Sequence, residues 1–308
     1  MQIPAPLPEN GTIAVISPSS TPKSEKLERG IQYLQKRGYT VKRGEHVLAK
    51  HKYLAGRGPE QLADLHSAFA DENVDAIICT RGGYGTPRYL HELDFELIRS
   101  NPKPFVGYSD ITALQCAFQT HADLMAFSGP MVAVEMGGEE AIDPYTEEVF
   151  WKLISNPLRE QVLENPPELP WQVHSPGVGE GLLTGGCLAL YNNLMGTRFF
   201  PDFRGRVLVL EDVGEDVQHL DRMFTQFKQA GLFAPGGITG LLLGQFIDAW
   251  NEDDEDEFTL EELIRDIIGK VNFPIVSQVA YGHGPRKMTM PLGAPVRLDA
   301  DKGRLILL

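Results

Sequence analysis

From Thr12 onward, apolar runs of strand length alternate with stretches whose apolar residues recur every three to four positions. Residues 12–17, 39–43 and 74–79 read as strands, with helices at 22–37 and 58–71 between them. Strands near 104–107 and 125–127, and a helix over 110–120, continue the alternation. Strands and helices in this order predict a doubly wound, mostly parallel sheet. The pattern changes over residues 136–179, which hold Gly137-Gly138, Pro144, Pro157, Pro166-Pro167, Pro170 and Pro176 around a single helical stretch at 145–155. Proline at that density suits a connector. Strands resume at 206–210, 240–245 and 274–280, and residues 296–307 read as a closing hairpin. The expectation is an α/β protein of two lobes: residues 1–135 as the doubly wound domain, 136–178 as a Pro/Gly-rich connector, and 179–308 as a smaller α/β domain with mixed strands. The crevice between the lobes is where an active site is expected.

Composition narrows the class. A chain of 308 residues is long enough for two cores, and 42% hydrophobic with 23% charged residues is globular usage. A net charge of −14 argues against a nucleic-acid partner, because Lys and Arg must neutralise phosphates. No apolar run approaches the ~20 residues that span a bilayer. The first residues, Met1-Gln2-Ile3-Pro4-Ala5-Pro6-Leu7-Pro8, lack the basic and apolar segments of a signal peptide, so a cytoplasmic protein without a membrane partner is expected. Cys79, Cys116 and Cys187 are widely spaced in apolar segments and read as core thiols. The acidic run Glu252-Asp253-Asp254-Glu255-Asp256-Glu257 reads as a solvated loop. His46, His51, His66, His91, His121, His174 and His219 form no close ligand pair of the H-E-x-x-H kind, so no metal and no cofactor is expected. A homodimer is left open.

Three segments carry candidate chemistry. Ser109 lies in Phe105-Val106-Gly107-Tyr108-Ser109-Asp110-Ile111, a strand, a tight turn and a helix start, which lifts a hydroxyl clear of the sheet beside unpaired helix amides. The match to the G-x-S-x-G elbow is incomplete, with Ile at 111 where Gly would stand. The plain alternative is a serine that only caps the helix starting at Asp110. Glu211 follows the apolar run Arg206-Val207-Leu208-Val209-Leu210, and His283 stands between two glycines in Tyr281-Gly282-His283-Gly284. Ser, Glu, His is one of the orders in which a nucleophile, an orienting carboxylate and a base occur. The loop Arg81-Gly82-Gly83-Tyr84-Gly85 misses the G-x-G-x-x-G pattern and is not followed by G-K-[ST], so it reads as backbone able to approach a reacting carbonyl rather than a phosphate cradle. Arg81 is suited to a peptide's terminal carboxylate, with a surface ion pair as its alternative. Trp171 would cover substrate or pack the lobes. Asp212, Glu215 and Asp216 cluster near Glu211, and Asp216 would start the helix through Leu220, Phe224 and Phe227. Thr184-Gly185-Gly186 reads as a strand-to-helix turn.

Taken together, these residues resemble the LD-carboxypeptidase family of serine peptidases, which includes muramoyl-tetrapeptide carboxypeptidases and microcin self-immunity peptidases. The resemblance runs through Ile13-Ala14-Val15-Ile16-Ser17-Pro18-Ser19, Arg81-Gly82-Gly83-Tyr84-Gly85, Gly107-Tyr108-Ser109-Asp110, Glu180-Gly181-Leu182-Leu183-Thr184-Gly185-Gly186, Leu210-Glu211-Asp212-Val213-Gly214-Glu215 and Gly282-His283-Gly284. It implies Ser109 as nucleophile, Glu211 as orienting acid and His283 as base. The backbone amides of Asp110 and of Gly82-Gly83 would form the oxyanion hole. Arg81, Tyr84 and Trp171 are the candidates for substrate binding. The reaction implied is release of D-Ala from an L-centred residue of a murein tetrapeptide; cleavage of a peptide nucleotide is the related alternative. A two-lobed binding protein without catalysis is the reading from another class, and it leaves the Ser, Glu and His coincidence unexplained.

Overall fold

The computed structural model describes residues 1–250 and 257–308. The acidic run expected as a solvated loop therefore lies outside the described residues except for Glu257. Two compact units share the chain. Met1–Pro157, Thr197–Pro201 and Thr289–Gly293 make the first, and Leu158–Gly196, Asp202–Met288 and Ala294–Leu308 make the second. The stretch expected as a connector is divided at Pro157.

In the first unit β1 (Thr12–Ile16), β2 (Thr40–Arg43), β3 (Ala76–Cys79), β4 (Phe105–Val106) and β5 (Ala126–Ser128) run parallel in the order β2-β1-β3-β4-β5. Strands β3, β4 and β5 are buried along their whole length, which is why they read as continuous apolar runs. Helices α1 (Ser24–Lys36) and α2 (Gly58–Ala70) make the first two crossovers. Helix α1 buries Leu27, Gly30, Ile31 and Leu34, an i, i+3, i+4, i+7 stripe. Two short helices follow, α3 (Phe95–Ser100) and α4 (Thr112–Ala117), then α5 (Pro144–Ser155), whose first turn is capped by Asp143 accepting from the Thr146 amide at 3.0 Å. The single helix expected over 110–120 is a tight turn at Ser109–Ile111, regular over α4, and wider over Phe118–Ala122 until Asp123 closes it at φ 53°. Strand order reverses between β1 and β3, and open α/β sheets bind ligands beyond the carboxyl ends of their strands at such a reversal. The loops found there are residues 17–20, 80–85 and 107–110.

In the second unit β6 (Val162–Glu164), β7 (Gln172–Ser175), β8 (Val178–Cys187), β9 (Val207–Val213), β10 (Gly240–Ile247) and β11 (Ile275–Ser277) are followed, after β12 (Met290–Leu292), by β13 (Pro295–Asp299) and β14 (Arg304–Leu307). Strand β12 belongs to the first unit, where it pairs antiparallel with β5 as the sheet edge. The edge is where Pro291, lacking an N–H, can be accommodated. The second sheet has the order β6-β14-β13-β8-β9-β10-β11-β7. Its middle, β8 to β11, is parallel, and both flanks are antiparallel. The mixed character is as expected, and so is the closing hairpin β13–β14. Thr184, Gly185 and Gly186 are strand rather than turn, pairing with β9 before α6 (Leu188–Asn193) begins. Strand β11 stops at Ser277, short of the expected 280, because Gln278 takes φ 60°. Helix α7 (Val217–Gln229) starts at Asp216, whose carboxylate accepts the His219 amide at 2.8 Å. A last short helix, α8 (Leu260–Leu263), is opened by a capping box between Thr259 and Glu262. Cys79, Cys116 and Cys187 are buried and form no disulfide among the described residues. No helix among the described residues is long and apolar enough to cross a membrane.

Candidate active site

In the first unit the backbone leaves β4 fully extended at Tyr108 and then turns through Ser109 at φ 64°. A non-glycine residue in this left-handed region costs about 1–3 kcal/mol and persists only where its surroundings enforce it. Here Asp110 enforces it. Its Oδ2 accepts from Ser19 Oγ at 2.6 Å and from the Thr86 amide at 3.0 Å, and its carbonyl accepts from Thr86 Oγ1 at 2.5 Å. Gln115 Nε2 donates to the carbonyls of Gly107 and Phe127 at 2.8 and 3.0 Å, and the Tyr108 hydroxyl bonds Glu135 at 2.8 Å. These bonds fix Gly107, Tyr108 and Asp110 on either side of Ser109, which itself stays half-buried. Ser109 caps no helix, so the plain alternative read from the sequence does not describe it.

The Arg81–Gly85 loop lies against that serine. A Cβ at Gly82 would stand 2.9 Å from Ser109 Cβ and 3.2 Å from its Oγ, so only hydrogen fits. Arg81 Nε donates to the Gly82 carbonyl at 3.1 Å, and Arg81 forms no ion pair among the described residues. Tyr84 is exposed. Trp171, in the second unit just ahead of β7, is buried, and its indole N–H finds no hydrogen-bond acceptor among the described residues.

In the second unit Glu211 sits inside β9, which continues to Val213 because β10 keeps pairing through Phe246 and Ile247. The sequence placed Glu211 at the strand's end; the structure places it two residues before. The side chain is 1% exposed, and its Oε2 lies 2.7 Å from Nδ1 of His283. Its Oε1 has no hydrogen-bond partner among the described residues. A carboxylate accepts only, so Nδ1 carries a proton, and in the neutral ring Nε2 is then the nitrogen with the lone pair. Gly282 makes the approach feasible: at φ 127° a Cβ there would meet Glu211 Oε2 at 2.7 Å.

Gln245 was missed by sequence reasoning. Its amide donates to the Tyr281 carbonyl at 2.8 Å, its Oε1 accepts the Gly284 amide at 2.9 Å, and its Nε2 reaches the Arg286 carbonyl at 3.4 Å. It thus holds the loop on both sides of His283. The available signal was a lone amide in the apolar run Gly240-Leu241-Leu242-Leu243-Gly244-Gln245-Phe246. Asp212 was read only as one of an acidic cluster. Successive strand residues face opposite sides, and Asp212 accepts from the Ala189 amide at 2.7 Å and the Val213 amide at 2.8 Å, with Cys187 Sγ at 3.7 Å. Burial pushes its carboxyl up to about 6.

A serine raised on a left-handed turn, and an imidazole bonded to a buried carboxylate, are parts from which serine hydrolases are built. Comparison with known proteins agrees in class. The LD-carboxypeptidase N-terminal domain matches residues 13–129, and the LD-carboxypeptidase C-terminal domain matches residues 180–298. A probable murein peptide carboxypeptidase of Bacillus subtilis is 35% identical over 98% of this chain and 93% of its own length. The crystal structure of muramoyltetrapeptide carboxypeptidase from Oxalobacter formigenes is 28% identical with a TM-score of 0.85, covering 96% of this chain and 97% of that one. The microcin C7 self-immunity protein MccF, solved with adenosine monophosphate, has a TM-score of 0.90 over 100% of this chain and 98% of its own; at 22% identity that likeness speaks to fold alone. The chain belongs to the LD-carboxypeptidase family of serine peptidases. It is a hydrolase, a serine-type carboxypeptidase.

Proposed function

We propose that this enzyme removes the C-terminal D-Ala from an L-centred residue of murein tetrapeptide, in the cytoplasm, as a step in peptidoglycan recycling. The observation that carries the reading is the 2.7 Å bond between His283 Nδ1 and the buried Glu211 carboxylate, because it leaves a basic Nε2 that only a partner with a proton to give can use. Ser109 is that partner in the proposal. Its Oγ attacks the scissile carbonyl as Nε2 takes the hydroxyl proton, and the carbonyl π electrons move onto oxygen. The amides of Asp110, Gly82 and Gly83 stabilise that oxyanion. Collapse breaks the C–N bond, with His283 returning its proton to the departing D-Ala amine. Water, deprotonated by the same imidazole, then hydrolyses the acyl-enzyme and frees Ser109. Glu211 holds the tautomer and offsets the imidazolium charge without taking the proton. Arg81 would grip the substrate's terminal carboxylate through two hydrogen bonds, with Tyr84 and Trp171 contacting the peptide. No metal or cofactor enters any step as written.

The test is mass spectrometry of products from murein tripeptide, tetrapeptide and pentapeptide, beside an aminoacyl nucleotide analogue. Loss of one D-Ala from the tetrapeptide alone supports the assignment. Cleavage of the nucleotide analogue with intact tetrapeptide would select the self-immunity activity instead, and tight reversible binding without turnover would select a binding protein.

A further inference from the structure

Tyr53 lies outside the segments that carry the family resemblance, yet its surroundings hold it in a defined position. It is 60% exposed, and Tyr84 is 55% exposed. Their ring centroids lie 5.6 Å apart with planes at 77°. Tyr53 sits in a four-residue turn closed by backbone bonds from His51 to Leu54 at 2.9 Å and from Leu54 to His51 at 3.0 Å. The turn holds Lys52 at φ 59°, a conformation that side chains other than glycine avoid. Two contacts lock this turn to the Arg81–Gly85 loop. Ser20 Oγ donates to the Tyr53 carbonyl at 2.8 Å and accepts the Tyr84 amide at 3.2 Å, so one hydroxyl fixes both tyrosine backbones. Leu54 fills the space that a Cβ at Gly85 would need, 2.6 Å from its Cδ2. Two large aromatic rings are thus kept in solvent by a rigid frame, and Gly82, which touches Ser109, lies only two residues before Tyr84.

We propose that Tyr53 and Tyr84 form a corner that receives the sugar ring of a muramoyl peptide and gives this enzyme a preference for sugar-bearing over sugar-free tetrapeptide. The inference rests on the carboxypeptidase reading above and names the portion of substrate that this part of the first unit takes. Reach is consistent with it. Three extended residues span roughly 10 Å, the distance from a scissile bond at the end of a tetrapeptide to the amino end where the sugar is attached. The Cα atoms of Gly82 and Tyr84 are at most about 7.6 Å apart, and the rings continue outward from there. Ring geometry favours a sugar over a nucleobase. A base sandwiched between two aromatics needs parallel planes, whereas a near-perpendicular pair offers one face for the C–H side of a pyranose and one edge beside it. The phenol hydroxyls can exchange hydrogen bonds with sugar hydroxyls and the N-acetyl group. Lys52 in this turn and Lys50 just before it are exposed, cations in a chain of net charge −14, which suits the carboxylates of an acidic peptide.

The experiment compares kcat/KM on muramoyl-tetrapeptide and on the same tetrapeptide without sugar, for the wild type, Tyr53→Ala and Tyr53→Phe, with an aminoacyl nucleotide analogue as a third substrate. The wild type should favour the sugar-bearing substrate by about two- to tenfold, the scale of one aromatic packing contact, expressed in KM. Tyr53→Ala should bring the ratio to about one by raising KM on the sugar-bearing substrate, and Tyr53→Phe should retain most of it. Equal rates on both peptides in the wild type, or an undiminished ratio in Tyr53→Ala, would overturn the proposal while leaving the carboxypeptidase reading intact. A preference for the nucleotide analogue that Tyr53→Ala abolishes would put a base in the corner and also overturn it. If neither peptide is cleaved, the carboxypeptidase reading itself fails, and this proposal with it.

Discussion

Gln245, through its side chain and backbone, holds residues 281, 284 and 286 on both sides of the His283 imidazole. The ring's aim is therefore set from β10, by a residue 38 positions earlier in the chain. A base displaced by about 1 Å can cost on the order of 10² in rate. Gln245→Ala should lower kcat by about 10- to 100-fold on that argument, with KM close to the wild-type value. Gln245→Glu keeps the acceptor for the Gly284 amide but turns an oxygen toward the Arg286 carbonyl, so its kcat should fall between the two. Steady-state kinetics with circular dichroism as a folding control decides it; equal losses of kcat and of fold would make Gln245 structural only.

Replacing Glu211 by Gln removes the acceptor for Nδ1–H and permits the wrong tautomer, which should cost about 10³ to 10⁴ in kcat. Asp212→Asn should cost far less, since Asp212 bonds Ala189 and Val213 rather than the imidazole. Because such residues act as a unit, Glu211→Gln combined with Ser109→Ala should be scarcely slower than Ser109→Ala alone. A folded Glu211→Gln enzyme within threefold of the wild type would remove Glu211 from the reaction.

Asp212 gives the stability of the second unit a pH dependence of definite sign. Burial raises its carboxyl to about 6, above the unfolded value of about 3.9. The folded state then binds the proton more tightly, so this contribution is fully present below about pH 4 and is lost as pH rises through about 6. A shift of this size is worth on the order of 3 kcal/mol. Urea unfolding at pH 4, 5, 6 and 7 should show the wild type's advantage over Asp212→Asn shrinking across that window. An advantage that grows with pH would mean the carboxylate's two amide bonds outweigh its burial.

Gly82→Ala tests the close approach to Ser109. The new methyl would meet Ser109 Cβ at 2.9 Å and the Tyr108 carbonyl at 3.2 Å, so the loop or the serine must shift. Overpacking of this kind costs about 1–3 kcal/mol, and kcat should fall by about 10²-fold through misplacement of the reacting groups. Full activity with an unchanged melting temperature would show that the loop can withdraw without consequence to catalysis.

Much of the architecture was legible because buried parallel strands are continuous apolar runs. β1, β3 and the first part of β9 are of this kind, and α1 and α7 show their stripes plainly. Strand β8 was not legible: Gly179, Gly181, Gly185 and Gly186 interrupt it, and glycine carries no strand preference. Strands β6 and β7 lie in the proline-rich stretch where propensity argues for loop, and tertiary pairing overrides it. Among the candidate site residues, Ser109, Glu211 and His283 could be picked out because each comes just after an apolar run of strand length. Gln245 and Tyr53 could not, since an amide in a strand and a tyrosine in a basic turn gain meaning only from the chain segments folded against them.

Strand β12 has a consequence for how the protein is made. The first unit begins the chain, but its sheet is closed by residues 290–292, which pair with β5. At about 5–20 residues per second on the ribosome, roughly ten to thirty seconds separate the emergence of β5 from that of its edge partner. During that interval the nascent sheet presents an open row of backbone donors and acceptors, the kind of edge to which other chains add. Neither unit is a contiguous piece of sequence, so the sheet of the first unit is completed only after most of the second unit has been synthesised.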